Sequence, residues 1–209
     1  MTFATALLTP ADCALVLVDQ QVGPAFEVGS IDRQILLDNI VALARSASAL
    51  GLPIVASGSA SIAGGSPLML AIQADVPGLQ FMERRNMNVW EDASVQAAVV
   101  AAGRRRLLIS GVLSEACVTF CALSALADGY DVLVVADACG GVTSTSHELA
   151  LRRLEAAGVK LTSGVQVLLE LQRDWIGHET HDGARTSVES HRIGYGIGPT
   201  YARDMIHSL

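Results

Sequence analysis

Residues 107–118 read LLISGVLSEACV, and this stretch decides the fold. Leu107, Leu108, Ile109 and Ser110 form a short apolar run of strand length, which a small residue, Gly111, then closes. Ser114 and Glu115 follow, a good helix cap and an acid suited to a first helical turn. A buried strand feeding directly into a helix start is one half of a β-α-β unit.

The same alternation extends in both directions. Residues 14–18, ALVLV, are a continuous apolar run ending at Asp19, as expected of a strand covered on both faces. Further strands are expected at 53–57, 79–82 (an edge strand), 132–135 and 159–161. Helices are expected at 31–50, 68–74, 92–102, 114–127, 144–157 and 165–175, several of them stopped by glycine. Strands alternating with helices require right-handed crossovers and a parallel sheet. The expected fold is an α/β three-layer sandwich, with a six-stranded parallel sheet in the order 3-2-1-4-5-6 and helices on both faces. Residues 1–175 make one domain. Residues 176–209 form a separate extension that carries four of the five histidines and a run of alternating glycines, and it reads as an oligomer arm.

Composition narrows the function. Hydrophobic residues make up 51% of the chain and charged residues 17%, against about 25% in typical domains. With only 4% aromatics, the apolar content is aliphatic, more than one globule of 209 residues needs to hide, so a homo-oligomer (tetramer or octamer) is expected. A net charge of -7 argues against nucleic acid as a partner. The one dense basic run, Arg104-Arg105-Arg106, reads as a solvated corner. No stretch has the roughly 20 apolar residues of a membrane span, and residues 1–10 lack the pattern of a secretory leader. Four cysteines without scaffold spacing indicate a reducing, cytoplasmic setting. The remaining partner class is a small-molecule substrate.

In open parallel sheets, ligands bind beyond the carboxyl ends of the strands, where strand order reverses. In the 3-2-1-4-5-6 order, strands one and four flank that point, so Asp19 and Cys117 face each other across it. Cys117 falls on the first turn of the helix expected to start at Ser114, where the helix N-terminus would lower a thiol pKa. A carboxylate beside a thiol can take its proton and later return it to a leaving group. The competing reading of Cys117 is a small core residue. Cys13, Cys121 and Cys139 read as core, Asp137 as a residue that orders the next loop, and His147 as a hydrogen-bonding structural residue.

Residues 16–21 (VLVDQQ), 107–118 and 117–138 together resemble the isochorismatase-like cysteine hydrolases, which include nicotinamidases and N-carbamoylsarcosine amidases. Residues 86–92 (NMNVWED) and 169–175 (LELQRDW) are most similar to the YcaC-like branch. The resemblance implies an Asp-Lys-Cys triad, with Asp19 and Cys117 in the first and last places. It also implies a non-proline cis peptide at Val112-Leu113, and an oxyanion hole made by the backbone N–H groups of Leu113 and Cys117.

One member departs from the pattern. The family lysine should lie about six residues before an aromatic, here Trp90, yet the only lysine in the chain is Lys160. Arg84 matches by spacing, with Arg85 as its alternative. An arginine can stabilise anions there but cannot shuttle a proton. Nicotinamidases also bind a metal through Asp and His after strand two. Residues 54–65 contain no His, Asp or Glu, so neither a metal nor another cofactor is expected. Gln21, Phe26, Arg85, Trp90 and Phe120 flank the motifs and are candidates to line a pocket.

The implied activity is hydrolysis of a C–N (amide-type) bond of a small molecule through a Cys117 thioester. Three other readings stand beside it: an isochorismatase-type ether hydrolase, an isomerase or other thiol chemistry, and an oligomeric protein with little catalysis. The ether-hydrolysing branch generally lacks the cysteine.

Overall fold

A computed structural model describes residues 6–60 and 66–173. The extension at 176–209 and Trp175 lie outside the described residues, as does most of the loop after the second strand.

Six strands form one parallel sheet in the order β3-β2-β1-β4-β5-β6. They are β1 (Cys13–Val18), β2 (Ile54–Ser59), β3 (Phe81–Arg84), β4 (Arg106–Gly111), β5 (Asp131–Val135) and β6 (Lys160–Thr162). Seven helices connect or cover them among the described residues: α1 (Val22–Ala25), α2 (Arg33–Ala49), α3 (Leu70–Asp75), α4 (Ala93–Ala102), α5 (Thr119–Ala127), α6 (Ser144–Ala157) and α7 (Gly164–Gln172).

β1 shows why the sequence needs three layers. All six of its residues are buried, and they alternate between two cores. Cys13, Leu15 and Leu17 join the core containing Leu36, Ile40 and Leu43 of α2 and Val167 and Leu171 of α7. Ala14, Val16 and Val18 join the core containing Val95 and Val99 of α4, Cys121 and Ala125 of α5 and Leu154 of α6. With a period of two and apolar residues at every position, neither face can be left to solvent.

Capping sets the helix bounds. The Asp32 carboxylate accepts from the N–H groups of Gln34 and Ile35 at the start of α2, and Asp92 does the same for Ser94 and Val95 at α4. Thr143 and Ser146 form a reciprocal capping box on α6. Gly103 and Gly158 end α4 and α6 in the left-handed conformation.

Two local expectations are corrected. The third strand runs over Phe81–Arg84 rather than 79–82, which puts Arg84 at its carboxyl end. The basic run is only partly a solvated corner: Arg105 is exposed and Arg104 half-buried, but Arg106 opens β4 with 1% exposure. Its Nε donates to Asp131 Oδ2 at 2.8 Å and its Nη1 to the Leu7 carbonyl at 2.9 Å. Lys160 binds the other oxygen of Asp131. The charge is buried because a neighbouring parallel strand supplies its partner.

Candidate active site

The site forms where strand order reverses, between the ends of β1 and β4. Val18 pairs with Gly111 across the two strands, so the residues that follow them emerge side by side. A side chain on Gly111 would meet the Val18 carbonyl at 2.4 Å, and this close approach keeps the two strand ends together.

Asp19 leaves β1 with φ 51, a left-handed conformation that non-glycine residues seldom adopt and that collects at functional sites. Its carboxylate is buried and heavily partnered. Oδ1 accepts from Arg84 Nη1 at 2.7 Å, from the Ser59 N–H at 2.9 Å and from Ser59 Oγ at 3.2 Å. Oδ2 accepts from Arg84 Nη2 at 2.6 Å. Arg84 thus grips Asp19 through a two-pronged fork, from a strand end two positions away in the sheet. Both side chains are almost fully removed from solvent, at 1% for Arg84 and 2% for Asp19. Burial works against the charge on Arg84, but hydrogen bonding and Coulomb attraction from Asp19 outweigh it and hold the guanidinium above its ordinary pKa. Among the described residues, Arg84 Nε has no acceptor.

The loop that carries Cys117 departs from the expected helix start. The Val112–Leu113 peptide bond is cis. Residues Ser114–Val118 then form a single wide π turn, and α5 begins only at Thr119. Ser114 does not cap the helix: its hydroxyl meets His147 Nδ1 at 2.7 Å, and Thr119 Oγ1 donates to its carbonyl at 2.6 Å. Such turns recur at functional positions.

Cys117 is 7% exposed. Its thiol pKa is raised from 9.0 to about 12, first by burial and then by the charge of and hydrogen bond to Asp19; Arg84 and the Leu113 backbone N–H oppose the rise. The expected lowering by a helix N-terminus is therefore overturned: the resting thiol is neutral. Cys13, Cys121 and Cys139 are raised as well, with burial as the leading cause. Asp19 and Arg84 act on the Cys117 thiol in opposite senses, the carboxylate raising its pKa and the guanidinium lowering it.

The flanking candidates separate. Gln21 is buried at the site: its Oε1 accepts from the Ser59 N–H at 2.9 Å, and its Nε2 donates to the Ser59 and Ser66 carbonyls. It fastens the segment that brings Ser59 to Asp19. Arg85 is exposed, which leaves the position to Arg84. Trp90 is a core residue, with Nε1 donating to Asp128 at 2.7 Å and its ring edge-on to Tyr130. Phe26 is 69% exposed and lines an apolar groove between α1, α2 and α3 that includes none of Asp19, Arg84 and Cys117. Phe120 is half-buried on α5. Asp137 accepts from the Gly164 N–H at 2.8 Å, at the start of α7.

Sequence reasoning missed three neighbours. Ser59 gives Asp19 two hydrogen bonds, but a serine in a small-residue run carries no distinguishing signal. Met87 places its sulfur 3.5 Å from that of Cys117. Glu115 accepts from the Val142 N–H and Ser146 Oγ at 2.9 and 2.8 Å, tying the turn that carries Cys117 to α6.

The sequence profile of the isochorismatase domain matches residues 13–166, which spans every element of the site. The probable hydrolase YcaC of Escherichia coli is 36% identical over 196 residues, covering 93% of both chains. The chain belongs to the isochorismatase family, in its YcaC-like branch. Two solved structures agree in fold. The YcaC gene product of E. coli, described as an octameric hydrolase of unknown specificity, superposes with a TM-score of 0.88 at 32% identity, covering 96% of this chain and 98% of that one. YcaC from Pseudomonas aeruginosa, with hexane-2,5-diol and covalent acrylamide, gives 0.87 at 31% identity, covering 99% and 98%. The resemblance to nicotinamidases would place a metal after the second strand. Here that segment, 54–65, offers neither imidazole nor carboxylate, so a metal does not fit it.

Proposed function

We propose that this isochorismatase-family protein is a metal-independent cysteine hydrolase that cleaves the C–N bond of a small amide. The observation that carries the reading is the Cys117 thiol lying close enough to the buried Asp19 carboxylate for Asp19 to raise its pKa, with that carboxylate gripped by Arg84.

The resting thiol is neutral, so the proton moves as attack begins. Asp19 accepts it from Cys117, and the sulfur bonds to the substrate carbonyl carbon. The carbonyl oxygen gains the negative charge and is held by the backbone N–H groups of Leu113 and Cys117. Asp19 then gives the proton to the leaving nitrogen, the C–N bond breaks, and an acyl thioester remains on Cys117. A water molecule gives a proton to Asp19 and adds to the thioester. Collapse releases the carboxylic acid and regenerates the thiol. Arg84 keeps its proton throughout and acts by charge and position, not as an acid.

The covalent acrylamide on the Pseudomonas relative supports a reactive nucleophile that admits a small amide-bearing molecule. The octameric E. coli relative supports a homo-oligomer here. Four cysteines without disulfides support a cytoplasmic setting, and no helix among the described residues is long and apolar enough to cross a membrane.

Replacing Cys117 with Ala tests the mechanism. Turnover in a screen of small amides is expected to fall by at least about a thousandfold, and covalent labelling by thiol reagents should disappear. Labelling at the full rate in that variant would assign the reactive thiol elsewhere. An inert Cys117 with no amide turned over would favour the oligomer with little catalysis.

A further inference from the structure

Cys117 is almost closed to solvent, yet the side chain that touches it is largely open. Met87 is 61% exposed, and its Sδ lies 3.5 Å from Cys117 Sγ. The thioether therefore stands at the thiol with its outer surface in solvent.

The backbone around Met87 is tied on three sides. Arg84 Nη2, which also holds Asp19, donates to the Met87 carbonyl at 3.3 Å. Asn86 Nδ2 donates to the Glu91 carbonyl at 3.3 Å. Asn88 Nδ2 donates to Ser124 Oγ on α5 at 3.0 Å, and its Oδ1 accepts from the Trp90 N–H at 3.1 Å. The segment is pinned to the charge pair, to the following turn and to the helix that extends from the nucleophile. What can still move is the side chain, an unbranched thioether with three rotatable bonds.

A carbonyl carbon must come within about 3–3.5 Å of the attacking sulfur, a distance at which Met87 already sits. An incoming acyl group must replace the thioether or lie against it. The surface it meets is polarizable and donates no hydrogen bond.

We propose that Met87 determines specificity at this site: its thioether covers the Cys117 sulfur and selects substrates whose acyl part is small and apolar. The proposal deepens the hydrolase reading and rests on Cys117 as its nucleophile.

The test compares the labelling of Cys117 by iodoacetamide and by its N-benzyl derivative, with mass spectrometry locating the adduct. It uses the full chain and its Met87→Ala and Met87→Leu variants. Met87→Ala is expected to raise the rate with the bulky reagent about tenfold more than the rate with the small one. Met87→Leu, which refills the space, should keep the wild-type ratio. The pH dependence of labelling should be the same in all three, because Asp19 and Arg84 are untouched. An unchanged size ratio in Met87→Ala overturns the proposal, as does a Cys117 that neither reagent reaches in that variant. Failure of the hydrolase reading looks different: Cys117 labels with the expected size ratio, but no small amide is turned over.

Discussion

Among the described residues, two arginine–aspartate pairs with a buried arginine lie at opposite ends of the same sheet, and their surroundings differ. Arg106 and Asp131 join the amino-terminal ends of β4 and β5. Arg106 also binds the Leu7 carbonyl, and Asp131 also binds Lys160, so the charges are shared among several groups and tie the start of the chain to the sheet. Arg84 and Asp19 sit at the carboxyl ends. There the aspartate takes a left-handed backbone, the arginine has a donor with no acceptor among the described residues, and a thiol lies beside the pair. The same two side chains thus make a clamp whose charges are shared among neighbouring groups of the fold, and a candidate catalytic site where a thiol lies beside the carboxylate. Burial and pairing are common to both; the proposed function rests on the thiol beside one of them.

The strongest way to break this comparison is Asp19→Asn. Asparagine tolerates the left-handed backbone and keeps the shape while removing the carboxylate that the proposed mechanism uses as its base. Turnover is expected to fall by roughly a thousandfold. Asp19 also raises the Cys117 pKa, so the thiol should titrate below about 12 in this variant, as read from the pH dependence of alkylation. A titration that does not move down would disconnect Asp19 from the thiol.

Truncating each arginine sharpens the contrast. Arg84→Ala strands a buried carboxylate and should cost about 3–5 kcal/mol of stability in denaturant unfolding, whereas Arg106→Ala leaves Asp131 its Lys160 partner and should cost less. Only Arg84→Ala should also raise the pH at which Cys117 is alkylated, because Arg84 lowers that thiol's pKa. If Arg106→Ala shifted the thiol equally, the two ends of the sheet would not be independent.

The smallest expected effect concerns His147. Burial lowers its pKa below the ordinary 6.5, against the opposing pull of Glu115 and Glu148. A depressed histidine pKa means that the unfolded chain binds the proton more readily. Stability from this residue is therefore complete above about pH 6.5 and declines as pH falls through that value. His147→Gln should flatten that acid limb by on the order of 1 °C in Tm, with the Ser114 contact as the local readout.

Much of this architecture was legible before the fold was known. The apolar runs at β1, β4 and β5 mark buried strands because a parallel sheet covered on both faces leaves no room for polar alternation. Asp19 and Cys117 were legible for the same reason, since ligand sites gather where such strands end. The edge strand was misplaced by two residues, because its short mixed sequence, FMER, lacks both an apolar run and a clean alternation. Arg106 was misread because its partner lies 25 residues further along, on the adjacent strand.

The sequence by itself determined the layers, which follow from local periodicity and from the handedness of crossovers. Given the strand order common to such folds, it also placed Asp19 and Cys117 on either side of the switch point. Only the tertiary structure decided that Arg84, not Arg85, closes on Asp19, that the Cys117 thiol rests neutral, and that Met87 stands over it. Those outcomes depend on which distant side chains share a small buried volume, and a one-residue shift in strand register is enough to exchange a buried cation for an exposed one.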